Sequence, residues 1–315
     1  MDKNELLNSL VKIPIECVHD VDSTESPFPN RIELWGLPEH LFHEVTRSSS
    51  SHVEDGTGTR PYSGAIVFLQ FCHTHPDIFL DRRHRLVELG AGIGACGLAL
   101  AMARGHETEC PDNREGSQST SADSKPSILL TDGEELTIEI ARRNCSLLGL
   151  TSGEVDVAVL RWSEDLNEIC KVAPLHSFHH VIGTDLLYYR TPARALLTTA
   201  EALLAKQHEN VSALNESEFS MSYEGAIFLP AIIRSPSLGD ELVEVCRDLN
   251  LSVLIVPIES FYVPVNPMMY NISFLVVTRK GATLQPALQD ALRDARPFDP
   301  HEESDDDDIV LPFLD

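Results

Sequence analysis

The segment Val87-Glu88-Leu89-Gly90-Ala91-Gly92-Ile93-Gly94 decides the fold. It joins what reads as a short buried strand, Arg85 to Leu89, to a stretch of small apolar residues, Gly94–Ala103, of the kind that packs a helix closely on a sheet. Glycine lets the backbone turn tightly and lets a ligand approach without a Cβ clash. Folds that bind dinucleotides share such a strand-to-helix turn, and the spacing Gly92-x-Gly94-x-x-Gly97 fits their fingerprint. Charge separates the candidate ligands. A pyrophosphate seeks backbone donors at a helix N-terminus, and Glu88, just before the glycines, opposes an anion. A nucleoside cofactor that carries cationic groups and no phosphate suits a carboxylate there.

Working downstream, Ser127–Leu130 reads as a strand that ends at Thr131-Asp132-Gly133. An acid at that position can accept both hydroxyls of a ribose; standing alone it reads as a helix N-cap. Asp132 lies 40 residues after Gly92, where about 20 is usual. The segment 107–126 supplies the excess: it is rich in Ser, Asp, Glu, Gly and Pro, without apolar periodicity, and is predicted to be a disordered insert. Glu134–Leu148 reads as a helix stopped by Gly149. The strand Val155–Leu160 leads to Arg161-Trp162, whose indole can stack on a base or pack in the core. The strand His180–Gly183 leads to Thr184-Asp185-Leu186-Leu187-Tyr188. A helix over Pro192–Leu204, a second polar insert at 208–222, a strand Ala226–Ile233, a helix Leu238–Leu249 and strands Leu251–Ile258 and Ile272–Thr278 complete the pattern. Upstream, Ala65, Phe68, Leu69 and Cys72 recur with helical spacing after Arg60-Pro61-Tyr62-Ser63-Gly64, and Leu10–Cys17 and Arg31–Trp35 read as short strands. Strands alternating with helices imply an α/β sheet, mostly parallel. Ligands of such sheets sit at the carboxyl ends of the strands, where Asp132, Trp162 and Asp185 would converge.

Composition narrows the function classes. The chain has 315 residues, 43% of them apolar, and a formal net charge of −25. That charge argues against non-specific nucleic-acid binding, which needs Lys and Arg to displace phosphate counterions. It favours a basic partner or simple solubility. The last stretch, from Asp299, holds eight acidic residues and no Lys or Arg, yet more than half of the net charge stays on the rest of the chain. No apolar run approaches the about 20 residues of a membrane span, and the N-terminus reads as carrying no secretory signal. The seven cysteines include no Cys-x-x-Cys pair, so a disulfide framework or a structural metal site is not expected. Cys72-His73-Thr74-His75 places metal-ligand atoms close together without a second pair to complete a site, and is expected to lie on the surface. A cytoplasmic protein follows from these features, with a nuclear location also open.

The glycine turn, Thr131-Asp132, Arg161-Trp162 and Asp185-Leu186-Leu187-Tyr188 together resemble the class I, seven-stranded S-adenosylmethionine-dependent methyltransferases, and more narrowly the methyltransferase-16 group of protein-lysine methyltransferases. The resemblance implies a Rossmann-like α/β fold with a seven-stranded, mostly parallel sheet flanked by helices. It divides the chain into an N-terminal extension over 1–55 with short strands, a methyltransferase domain over 56–285 and an acidic tail over 299–315. It implies S-adenosyl-L-methionine as cofactor, with Gly90, Ala91 and Gly92 along the methionine moiety, Glu88 and Gly94 completing that loop, Asp132 on the ribose, Trp162 at the adenine and Thr184 on the adenosine side. Tyr62 stands where the group usually has a tryptophan, as an aromatic wall. Asp185 and Tyr188 would be the catalytic pair, the first near the methyl acceptor and the second shaping its channel. No metal is implied. The partner would be a protein with a basic, lysine-bearing surface, not nucleic acid or membrane, and the oligomeric state stays open. The alternatives are a small-molecule methyltransferase and a non-catalytic S-adenosylmethionine-binding module that holds a basic partner.

Overall fold

The computed structural model describes residues 2–17, 27–48, 57–106, 127–188, 191–206, 223–233, 235–261 and 272–301. The predicted inserts at 107–126 and 208–222, and the tail beyond residue 301, lie outside the described residues. After a first helix, α1 (Lys3–Asn8), strands β1 (Val11–Glu16) and β2 (Arg31–Gly36) pair antiparallel from Val11 opposite Gly36 to Glu16 opposite Arg31. Successive strand residues point to opposite faces. Here Ile13, Ile15, Ile32 and Leu34 are buried, while Lys12, Glu16, Arg31 and Glu33 face outward.

The central sheet is built from β3 (Leu86–Glu88), β4 (Ile128–Asp132), β5 (Val155–Val159), β6 (His180–Ile182), β7 (Ile227–Ala231), β8 (Leu251–Val256), β9 (Ser273–Arg279) and the two-residue β10 (Arg296–Pro297). Their order is β10-β8-β9-β7-β6-β3-β4-β5. Strands β3 to β7 pair parallel, and β9 is inserted antiparallel between β7 and β8. Seven strands form the expected mostly parallel sheet, and β10 adds an eighth at the edge. Parallel strands buried on both faces read as continuous apolar runs, as β7 does; β3 is buried throughout but ends in Glu88.

Helices cover both faces. On one side lie α3 (Ser63–Thr74), α4 (Pro76–Phe79), α5 (Ala95–His106) and α6 (Glu135–Leu147), following α2 (Glu39–Ser48) in the chain; they pack with Leu86, Ile128, Leu130, Ile182, Phe228 and Phe274. On the other lie α7 (Leu166–Cys170), α8 (Ala193–Leu203) and α9 (Pro236–Asp248), packed on Val87, Leu129, Val181, Ile227, Leu229 and Leu275. The alternation of these strand residues between two clusters is the period-2 geometry of the pleat. A last helix, α10 (Pro286–Ala291), buries Leu288 on the first side.

Beyond residue 285, α10 packs against α4, and β10 pairs with Leu254 and Ile255 of β8. The start of the acidic stretch is anchored: His301 Nε2 lies 2.8 Å from Asp240 Oδ1 on α9. Cys72 is not a surface residue. It is fully buried on α3, and burial pushes its thiol well above its ordinary pKa. Among the described residues no helix is long and apolar enough to cross a membrane.

Candidate active site

The carboxyl ends of β3, β4, β5 and β6 border a cavity of about 560 Å3, within the range of small-molecule sites. The glycine turn forms its floor. Gly90, Gly92 and Gly94 adopt φ of 59°, 54° and 87°, the left-handed region that glycine enters without a Cβ penalty. At Gly92 close approach adds a second requirement, since a Cβ there would stand 2.6 Å from the carbonyl oxygen of Gly58. The 3-10 turn Thr57–Thr59 therefore lies directly against the loop. Backbone bonds fix the turn between its neighbours: Leu89 N–H donates to Ile182 on β6 and Ala91 N–H to Thr131 on β4, each at 2.8 Å.

Asp132 ends β4 and is 9% exposed. Its Oδ2 accepts the Gly92 N–H at 3.0 Å and its Oδ1 accepts the Glu134 N–H at 3.0 Å. The carboxylate thus braces the glycine turn and the start of α6 at once. The same carboxylate also lines the cavity. Leu160, Arg161 and Trp162 follow β5 on the same wall, and Arg161 Nε donates to the Gly133 carbonyl at 3.3 Å.

Asp185 follows β6 with φ of 56°, a conformation that Asp tolerates better than most residues. Its N–H donates to the Pro230 carbonyl at 2.8 Å, and its Oδ2 accepts the Gly64 N–H at 2.7 Å. Gly64 lies in the first turn of α3, so Asp185 caps that helix from a distant strand. The capped residue lies 121 residues upstream in the chain. The turn after Asp185 is tied by Thr191, whose Oγ1 donates to Leu186 O and accepts the Tyr188 N–H. Tyr62, 41% exposed, stands at the mouth and meets Phe42 of α2 edge to face at 6.3 Å.

Of the residues expected at the site, Tyr62, Gly90, Ala91, Gly92, Asp132, Trp162, Thr184, Asp185 and Tyr188 all line this cavity. Glu88 and Gly94 do not. Glu88 is 2% exposed, and its Oε2 turns beneath the loop to accept the Gly97 N–H of α5 at 2.8 Å. Burial pushes this carboxyl up to about 7, and the neighbouring Asp132 charge adds to the rise. Gly94 packs against Leu98 and Leu130 and supplies the turn geometry. Sequence reasoning missed Thr57 and Gly58, whose only advance signal was a small-residue run ahead of α3. It also gave no role to Arg60, Glu134, Leu186 and Pro192, which line the cavity as well.

The sheet order, the antiparallel β9 and the glycine turn over the β3 end define a class I methyltransferase fold. A model of the family described as lysine methyltransferase matches residues 53–223, just over half the chain. The chain therefore belongs to the lysine methyltransferase family and is an S-adenosylmethionine-dependent methyltransferase. Among solved structures it is similar to an S-adenosylmethionine-dependent methyltransferase from Aquifex aeolicus, at 12% identity and TM-score 0.40, covering 67% of this chain and 87% of that one. It is also similar to ribosomal protein L11 methylase from Lactobacillus delbrueckii subsp. bulgaricus, at 12% identity and TM-score 0.37, covering 70% and 80%. A third likeness is to precorrin-6y C5,15-methyltransferase from Geobacter metallireducens GS-15, at 12% identity and TM-score 0.36, covering 68% and 89%.

The cavity suits this cofactor. It offers a backbone floor free of Cβ atoms at Gly90 and Gly92, acceptor oxygens at Asp132 and an aromatic face at Trp162. Among the described residues no group of three His, Cys, Asp or Glu side chains is placed to hold a metal ion.

Proposed function

We propose that the chain transfers a methyl group to the side-chain nitrogen of a lysine on a protein substrate with a basic surface. The observation that supports this most is Asp185. A carboxylate borders the same cavity as the glycine turn, beside Tyr188 and Leu186, and sits at the N-terminus of α3, where negative charge is favoured. An acid in that place suits a cationic acceptor.

S-adenosylmethionine supplies a methyl already activated by its sulfonium, so the protein's task is mainly positioning. Gly90, Ala91 and Gly92 would hold the methionyl part, Asp132 the ribose hydroxyls and Trp162 the adenine, with Thr184 beside the adenosine. Tyr62 would wall the mouth. A lysine must lose a proton first, because its reference pKa is about 10.4. Asp185 binds and orients the incoming ammonium, although a carboxylate alone holds the amine charged. The apolar walls of Leu186 and Tyr188 oppose that charge, and the proton leaves through water at the open mouth. The acidic surface draws the basic substrate toward the strand ends.

The test incubates the protein and radiolabelled S-adenosylmethionine with lysate from cells lacking this protein, and maps the label by mass spectrometry. Label on a protein lysine is expected. Label only in small metabolites, or cofactor binding without transfer, would overturn the proposal.

A further inference from the structure

S-adenosylmethionine carries one anionic group, the α-carboxylate of its methionine part, and the cavity holds few partners for it. The acids that line the cavity, Asp132, Glu134 and Asp185, repel a carboxylate. The backbone donors of the glycine turn are taken: the Ala91 N–H goes to the Thr131 carbonyl at 2.8 Å, the Gly92 N–H to Asp132 Oδ2 at 3.0 Å and the Gly94 N–H to the Ala91 carbonyl at 2.8 Å. Among the described residues the cations that line the cavity are Arg60 and Arg161. Arg161 stands beside Trp162 after β5, with its Nε on the Gly133 carbonyl, at the nucleoside end. Arg60 belongs to the run from Thr57 to Gly64, which crosses the glycine turn. At one end of this run a Cβ on Gly58 would stand 3.1 Å from the Gly92 Cα and 3.5 Å from Asp132 Oδ2. At the other end the Gly64 N–H donates to Asp185 Oδ2. Arg60 therefore lies on the stretch that passes from the ribose acid to the acceptor acid, over the part of the floor left for the methionyl chain.

We infer that Arg60 is a cofactor-binding residue that holds the α-carboxylate of S-adenosylmethionine. The inference rests on the cofactor and not on a lysine being the acceptor. Arg60 is half-buried, and its Nη1 donates to the Leu37 carbonyl just after β2 at 3.5 Å. Leu37 returns the tie, its N–H donating to the Thr59 carbonyl at 3.2 Å. A guanidinium carries five N–H donors; among the described residues this one bond engages it, and no ion pair does. Its planar fork matches a carboxylate with two parallel bonds. The tie to Leu37 steadies the side chain before the cofactor arrives, so less freedom is lost on binding. The strand pair β1–β2 thereby reaches the cofactor through Leu37 and Arg60.

Isothermal titration calorimetry with two ligands tests this: S-adenosylmethionine and its decarboxylated form, which keeps the nucleoside, the sulfonium and the amine but lacks the carboxylate. Arg60→Gln is expected to weaken S-adenosylmethionine by about tenfold to a hundredfold, the range for a hydrogen bond between charged groups, and the decarboxylated form by roughly twofold at most. An equal loss for both ligands overturns the inference, since Arg60 would then only shape the cavity. No loss for either overturns it too, and leaves Arg60 facing the methyl acceptor or solvent. Arg60→Lys keeps the charge without the fork and decides should the Gln variant fail to fold: its smaller loss must again fall on the carboxylated ligand alone, and a loss shared by both refutes the assignment. Binding alone is read, so the lysine-methylating function stands or falls separately, by the labelling experiment.

Discussion

The Asp185 carboxylate accepts the Gly64 backbone N–H at 2.7 Å across 121 residues of chain, so the side chain proposed to meet the methyl acceptor also caps α3. Position and charge are thus carried by one residue, and two substitutions can separate them. Asp185→Asn keeps an acceptor for Gly64 and tolerates the left-handed backbone, but removes the charge. Asp185→Ala removes the cap and leaves a Cβ-bearing residue at φ of 56°, a loss of roughly 2 kcal/mol in unfolding free energy. The Asn variant should melt near the wild type yet lose at least tenfold in kcat/KM on a lysine acceptor. Normal turnover in Asp185→Asn would remove the charge from the mechanism.

Gly64 provides the reciprocal test. A Cβ there would lie 2.5 Å from Asp185 Oδ2 and 2.7 Å from the Pro230 carbonyl. Gly64→Ala must push the carboxylate away or shift the start of α3. Turnover should fall by more than tenfold while cofactor affinity, measured by calorimetry, changes less than threefold, because the glycine turn and Asp132 are elsewhere on the wall. Equal losses in both would mean that the damage spreads across the whole cavity.

Gly92→Ala acts on the other side. Its φ of 54° disfavours a side chain, and the Gly58 carbonyl would stand 2.6 Å from the new Cβ. The Gly92 N–H bond to Asp132 would be strained with it. We expect cofactor affinity to fall by about a hundredfold, matching the loss of a charge-assisted hydrogen bond of up to 3 kcal/mol, with circular dichroism unchanged. Retained affinity would show that the turn can relax around a methyl group.

These contacts show which parts of the site were legible beforehand. Asp132, Trp162 and Asp185 stand at strand ends, and the strand order of a parallel sheet brings such positions together whatever the loops do. The direction of Glu88 was not legible. The pleat places it on the same face as Leu86, but whether that face meets a ligand or the first turn of α5 depends on where the helix lands. The approach of Gly58 to Gly92 was equally hidden, because it joins two segments with no periodicity linking them. The pairing of β10 was not legible either, because it has two residues, too short to show alternation. Cys72 looked superficial beside two histidines, although its own helical spacing with Ala65, Phe68 and Leu69 already set it on the buried face.

The amino ends of the same strands carry an acid-sensitive arrangement, remote from the cavity. Arg85 N–H donates to His179 Nδ1 at 3.0 Å, and Ala226 N–H donates to His180 Nδ1 at 3.2 Å. Both imidazoles therefore use Nδ1 as an acceptor, which a charged ring cannot do. They link the approaches to β3, β6 and β7 in the manner of backbone carbonyls. His84 stacks on His179 with ring centroids 4.3 Å apart. Burial, with help from the neighbouring rings, holds His179 down to about 3 and His180 well below its ordinary value. The unfolded chain takes up these protons near pH 6.5 and the folded chain does not, so stability is complete above that pH and falls as pH drops toward 3. Raising the pH has the opposite sign at Glu88, whose raised pKa makes its ionisation destabilising between the ordinary carboxyl value and about 7. His180→Gln can keep an acceptor for the Ala226 N–H without the proton uptake. Urea unfolding at pH 5 and pH 7.5 should show a smaller acid-induced drop in this variant than in the wild type. An identical drop in both would mean that the acid lability arises from other groups.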